Sequence, residues 1–554
     1  MFKCKQLLRR ICVVSYVFLL CGGLVNASNL VSKTNTLIGT QGNGWASGYL
    51  YPGATYPFGM VQFTPTYFTK QLGFVINQLS GAGCDHMGNF PTLPVAGALR
   101  VSPDSILNMQ TPVGKEIGTA GYYAATVDHS IRAELTVTER TGMARYTFSS
   151  KEKQGTVIIG GGVAATPIQV AAIKITGPHS CEGYAEGGAF CGIPTPYKVY
   201  FVAEFDADAE SFGTWKEERL HANHTFAEGS HSGVYFTFPL KEGNQAVQYK
   251  IGVSYVSVEN ARENLRVENP AWDFSAVRQA TQDKWNEYLG KIEVEGDNED
   301  RQIQFYTHLY RSLIHPNVCS DVNGEYMGAD SQVHKTARKF YTSFSNWDTY
   351  RMQTALIAML APEETSDIVM SHYLFAEQSG GGFPRWVLAN IETGVMQGDP
   401  TPILVANAYA FGARNYDPRT LLRTMRYGAE VPGANSQGVL TRPGLEQYLE
   451  KGYYDASILL EYTSSDFAIG RFALQACNDE PVCNWYTQRA MNWKNLFNKE
   501  TGWLQSRNED GSWKRYDADW RESTYKNYFW MVPYDLQGLI DSIGGKEAAE
   551  KRLD

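Results

Sequence analysis

Apolar and polar positions alternate along the first half of the chain and then change period. In "IRAELTVTE" the apolar set is Ile131, Ala133, Leu135 and Val137; in "KVYFVAEFDA" it is Val199, Phe201, Ala203 and Phe205; in "AVQYKIGVSYVS" it is Val247, Tyr249, Ile251, Val253 and Tyr255. A period of two buries one face of a strand. Gly, Pro and Asn turns separate these runs, so residues 28–258 predict an N-terminal antiparallel β-sandwich. From Glu259 the spacing turns helical, and residues 259–297 read as a helical linker of two capped, charged segments around Asn269-Pro270.

Residues 298–554 predict a succession of helices, among them "EDRQIQFYTHLYRSLIH", "NWDTYRMQTALIAMLA", "PEETSDIVMSHYLFAEQ", "SILLEYTSSDFAIGRFALQAC" and "CNWYTQRAMNWKNLF". The loops between them are dense in Trp, Asp, Asn and Gly, as when helical hairpins ring a site at one end, which reads as an α/α toroid. No strict repeat occurs, so a solenoid ranks lower. About eight helix candidates are legible where six hairpins need about twelve. The closing "KEAAEKRLD" has no cap, so the toroid is expected to be incomplete at the C-terminus.

Composition narrows the function. The net charge is −9 with both signs interspersed and no long basic run, which excludes a nucleic-acid footprint. Aromatics make up 13% of the chain; that suits stacking on flat apolar faces such as those of sugars, and equally a large core with Tyr at its rim. At the N-terminus, Lys3, Lys5, Arg9 and Arg10 precede an apolar run and the small-residue end Val25-Asn26-Ala27. Residues 1–27 therefore read as a signal peptide cleaved after Ala27, and the protein as periplasmic or secreted. Cys21 offers lipid anchoring as a second reading, the one route to a membrane. Once the leader is removed, six cysteines are left. The simplest bridges in an oxidising compartment are Cys181 with Cys191 and Cys477 with Cys483, leaving Cys84 and Cys319 over.

Six segments carry the candidate chemistry: "GYLYPGATYPFGMVQFTP" (48–65), "LSGAGCDHMGNFPTLPVAG" (79–97), "YTSFSNWDTYR" (341–351), "WVLANIETGVMQG" (386–398), "LLEYTSSDFAIGRFA" (459–473) and "ESTYKNYFWMVPYDLQGLIDSIGG" (522–545). In order and wording they resemble glycoside hydrolase family 92, the calcium-dependent, inverting exo-α-mannosidases. The resemblance spans most of the mature chain. It implies a β-sandwich, a linker and an (α/α)6 barrel with the site between the domains, and removal of terminal mannose from N-glycan or mannan substrates at α-1,2 or related linkages.

Inversion needs an acid on the leaving oxygen and a carboxylate base on the opposite face, roughly 6.5–9.5 Å apart. Glu392 falls at what the resemblance gives as the general-acid position, and Trp386, Leu388, Ala389, Ile391 and Val395 would desolvate it and raise its pKa. The plainer reading of the same residues is a loop Glu in solvent or one capping nearby backbone N–H groups. Trp347 and Asp348 match the pair that binds terminal mannose; the plainer reading is a core Trp, with Asp348 as N-cap of a helix beginning at Thr349. Glu522 matches a glutamate near the leaving-group subsite, in a stretch that departs from the family's E-G-N-x-W-Q-Y at Ser523, Thr524, Lys526 and Asn527. Arg521 stands where α-1,2-specific members tend to carry His.

The resemblance places the general base and the Ca2+-associated aspartates in a later motif, expected beyond Asp554, so the 554-residue chain by itself is expected to be weakly active or inactive. The Asp/Asn-rich run 320–330 lacks the closing Glu of an EF-hand loop, and the resemblance implies a connecting hairpin there. A secreted, non-catalytic glycan-binding protein is the competing class. An acid within an otherwise matching catalytic motif argues against it.

Overall fold

The computed structural model describes residues 29–40, 49–65, 73–104, 113–242 and 245–554; the leader and Cys21 lie outside the described residues. The alternating runs form the strands Ile131–Val137, Ile193–Phe205 and Ala246–Ser254, all in a nine-stranded sheet. An eight-stranded sheet covers it, with Thr92–Ala96, Gln154–Gly160 and Ser232–Pro239 at its middle. Among the described residues every neighbouring strand pair in these two sheets is antiparallel, and Phe201, Ala203 and Phe205 sit opposite Val253, Ile251 and Tyr249. This register puts both apolar sets on the same inner face, where they are buried. Phe205 reaches across to Phe236 and Phe238, with ring centroids 5.0 and 4.9 Å away, and locks the sheets together.

The linker forms two helices. Val258–Glu268 is capped by Ser257, whose hydroxyl accepts the Asn260 N–H, and it packs Ala261 and Leu265 on Val202 of the nine-stranded sheet. Gly252 allows this approach, since a Cβ there would lie 2.3 Å from the Ala261 carbonyl oxygen. The second helix, Phe274–Leu289, begins at Asp273 and buries Trp285, whose indole N–H donates to the Thr55 carbonyl at 2.7 Å.

The second half is a helical domain following the sandwich. Its longest described helix, Ala456–Cys477, is buried along most of its length and packs against Thr401–Ala410, Pro418–Glu430 and Glu480–Ala490. The run expected as one helix over 346–361 is broken, ending at Thr349 and resuming at Gln353. Residues 320–330 lead into a hairpin of Glu325–Met327 with Val333–Lys335, as the resemblance implies. No described helix is long and apolar enough to cross a membrane.

The expected disulfides are both corrected. The bond joins Cys84 to Cys191, and Cys181, Cys319, Cys477 and Cys483 are free. Cys181 lies near the start of the strand Ser180–Phe190 and Cys191 just after its end. Ten extended residues hold them about 33 Å apart, far beyond the reach of a bridge. Cys483 packs beside Gly470, about two helical turns before Cys477. Peptide mapping without reduction should recover Cys84 linked to Cys191, with the Cys181 and Cys319 thiols alkylated only after unfolding; a Cys181–Cys191 peptide would contradict this topology.

Candidate active site

The candidate acid Glu392 lies on a hairpin. Trp386–Leu388 pairs with Ile391–Glu392 through a two-residue turn in which Ala389 has φ 53°. The Glu392 side chain folds back across its own hairpin and accepts N–H bonds from Arg385 at 2.6 Å, Gly394 at 2.9 Å and Trp386 at 3.2 Å. Burial raises its pKa, while the Arg385 guanidinium and these N–H groups pull the other way. The crevice around it has no room for a water molecule. The plainer sequence reading, a Glu capping backbone N–H groups, describes this geometry.

Arg385 organises the same loop. Its guanidinium donates to the carbonyls of Gly398 at 3.0 Å, Met396 at 3.3 Å and Leu440 at 2.9 Å. Next to it lies a buried ionic chain. Arg442 bonds Asp399 at 2.8 Å and Asp466 at 2.7 Å. Asp466 also takes Arg489 Nε at 2.7 Å and the Tyr448 hydroxyl at 2.7 Å. Burial acts to raise the Asp466 pKa, but Arg489 and Arg442 outweigh it and hold the carboxyl below its ordinary value.

A pocket of about 880 Å³ opens on the other side of Ala456–Cys477. Trp347, Tyr350 and Arg351 form one wall, Ser464, Phe467 and Arg471 the helix face, and Glu522 and Tyr528 complete the lining. Among the described residues, all of its lining comes from the helical half. Glu522 is the one carboxylate among the described lining residues, and it is exposed, with φ 51°. Glu392 is not in that lining. Asp348 is exposed, accepts the Ser345 hydroxyl and also falls outside the lining. The helical turn runs Asn346–Thr349 with Ser345 at its N-cap, so Asp348 does not cap a helix starting at Thr349. Of the four sequence candidates, the fold thus brings Trp347 and Glu522 to one pocket and leaves Asp348 and Glu392 off it.

Sequence reasoning missed Glu461. It is wholly buried behind Trp347, taking the Trp347 indole N–H at 2.9 Å and the Tyr350 hydroxyl at 3.1 Å. Burial pushes its pKa up to about 7, against the pull of Arg351. Tyr528 was missed too; its hydroxyl accepts from Gln397 at 3.2 Å. The available signal was in "LLEYTSSDFAIGRFA", where Glu461 and Asp466 stand in a helix with no solvent-facing polar stripe to place them on.

The glycosyl hydrolase family 92 N-terminal domain matches residues 34–254, and the family's catalytic domain matches residues 260–554. A protein of Arthroderma benhamiae described as an uncharacterized secreted glycosidase is 25% identical over 95% of this chain and 74% of its own length. Among solved structures, a family GH92 α-mannosidase from Bacteroides thetaiotaomicron superposes with a TM-score of 0.86 at 25% identity, over 95% of this chain and 74% of that one. An inverting mannosidase of the same family and bacterium gives 0.85 at 26% identity, with the same coverage of each chain.

The ionic chain gives a stability prediction. Asp466→Asn leaves two buried guanidinium groups short of charge and should cost about 3–5 kcal/mol, measured by urea unfolding. Because the folded pKa of Asp466 is depressed, its contribution is present above the unfolded value and is lost as pH falls through the folded one. The deficit of the variant should therefore shrink in acid, and a deficit independent of pH would exclude the charge as its cause.

Proposed function

The chain belongs to glycosyl hydrolase family 92 and is a glycosidase, and from that premise we propose an exported, exo-acting α-mannosidase that removes terminal mannose with inversion. The pocket carries the reading. Trp347 and Tyr528 offer apolar faces for the C–H surface of a pyranose, and Arg351 and Arg521 offer donors to its hydroxyls. The mannosidase relatives support mannose as the sugar. Export is supported by the Cys84–Cys191 bond, which belongs to an oxidising compartment, and by the secreted relative. The mannosidic linkage, α-1,2 or a related one, stays with the resemblance.

Geometry favours Glu522 over Glu392 as the proton donor. A general acid must reach the leaving oxygen directly or through one water. Glu522 faces the pocket, whereas the Glu392 carboxylate is occupied by three backbone N–H groups in a crevice closed to water. Inversion also needs a base on the opposite face. None of the described residues is assigned that role, since Glu522 is the one carboxylate in the lining.

Ca2+ belongs to the reading through the resemblance. Among the described residues no group of three or more His, Cys, Asp or Glu converges on a point that would hold an ion. Asp321, the buried acid of the Asp/Asn-rich run, is engaged by Ser254, Asn260 and Asn264. Asp321 therefore has its oxygens committed to protein donors.

The test compares methyl α-mannoside binding, and hydrolysis of a mannobiose and of an activated aryl α-mannoside, across variants. Glu522→Gln should lower kcat on the disaccharide about 10²–10⁴-fold and much less on the aryl substrate, whose leaving group needs little protonation. Glu392→Gln should mainly cost stability, about 1–3 kcal/mol. The reverse pattern would return the acid role to Glu392. A wild-type protein that binds no α-mannoside would overturn the mannosidase reading in favour of another sugar, and a β-anomer released first would support inversion.

A further inference from the structure

Three neighbouring residues of one pocket wall converge on a single buried carboxylate that never reaches the pocket. Glu461 sits near the middle of Ala456–Cys477 and is fully enclosed. One oxygen accepts the Trp347 indole N–H at 2.9 Å and lies 3.6 Å from the Arg351 guanidinium; the other accepts the Tyr350 hydroxyl at 3.1 Å. The Arg351 guanidinium in turn lies over both rings, 4.7 Å from the Trp347 centroid and 4.9 Å from that of Tyr350. An indole held by its edge N–H is fixed in place in the pocket wall. Without that bond the ring has alternative rotamers, and ordering it would be charged against ligand binding.

The loop behind the carboxylate is built to cover it. Gly398 has φ +79°, and a Cβ there would fall 2.6 Å from Glu461 Cβ and 2.8 Å from its Cγ. Arg385 pins the Gly398 carbonyl from the far side. Sealing keeps water from competing for the two hydrogen bonds, which strengthens both.

We propose that Glu461 is a positioning residue: it fixes Trp347, Tyr350 and Arg351 as one rigid wall, and so sets affinity for the sugar without taking part in proton transfer. This rests on the pocket being a sugar site. The groups around the carboxylate are Arg351 and Tyr350 from the wall, Arg385 from the hairpin side and Tyr528 from the turn Tyr525–Tyr528. Asp466 on the same helix is neutralised by Arg442 and Arg489. Since burial pushes the Glu461 pKa up to about 7, acidification protonates it, turns one of its two oxygens into an O–H donor and loosens the wall.

The experiment uses the full chain with Glu461→Gln, Trp347→Phe and the double variant, at pH 8 and pH 5.5. Methyl α-mannoside binding is read by calorimetry, and the Trp347 indole ¹H–¹⁵N resonance, assigned by its loss in Trp347→Phe, by NMR. Each single variant should weaken binding about tenfold, the double variant little further, and KM should rise more than kcat falls. Wild-type affinity should drop toward pH 5.5 while Glu461→Gln stays flat. The Trp347 resonance should titrate near neutrality in wild type and not in Glu461→Gln. Additive variants, or a resonance indifferent to both pH and Glu461→Gln, would overturn the assignment and leave Glu461 a packing residue. If wild type binds no mannoside, the sugar reading fails, while the resonance still decides whether Glu461 holds Trp347.

Discussion

Two aspartates and two arginines with almost no access to water hold the helical half in register. Asp399, Arg442, Asp466 and Arg489 come from a loop, a turn and two helices, and they meet inside the domain. Desolvating four charges is expensive, and only close, well-formed pairing returns the cost. The arrangement therefore tolerates little displacement. With Asp466 fixed, the helix Ala456–Cys477 cannot slide or rotate, and the place of Glu461, five residues earlier on that helix, is set as well. With Asp399 fixed, Gly398 is held over Glu461. The pocket wall at Trp347 thus inherits its geometry from charges that never touch the pocket.

The sandwich reaches the same structure from the other side. Phe190, next to the disulfide-bonded Cys191, stacks on Trp386 with ring centroids 4.2 Å apart. Trp386, Leu388 and Ala389 are part of the sandwich core cluster although they belong to the second half of the chain. The hairpin carrying Glu392 is a strut: its apolar side joins the sandwich, its acid ties its own backbone, and Arg385 at its base anchors the loop to Gly398. Arg140 adds a second tie between the halves, pairing with Glu268 of the linker at 2.7 Å and donating to the Ser320 carbonyl at 2.7 Å.

Local patterns were legible where one short-range rule decides the outcome. The strands containing Ile131, Val199 and Val247 follow from a period of two, and Ser257 and Asp273 cap the linker helices as their residue types favour. Reading failed where two distant segments decide. Cys181 and Cys191 look like partners by separation, but a continuous strand keeps them apart and gives Cys191 to Cys84, 107 residues away in sequence. Glu392 has the apolar neighbours expected of an acid with a raised pKa, and burial does raise it; those same neighbours shut it away from the pocket.

By itself, the sequence determined the order of a β-sandwich, a linker and a helical domain, and it contained the motifs through which the family is recognised, because both are written in periodicity and in contiguous words. Tertiary structure alone decided which carboxylate faces the pocket, which one braces its wall and which one only closes a hairpin. Glu392, Glu461 and Glu522 are the same side chain on three backbones. Their chemistry differs because burial and hydrogen-bond partners, set by segments far apart in the chain, differ around each.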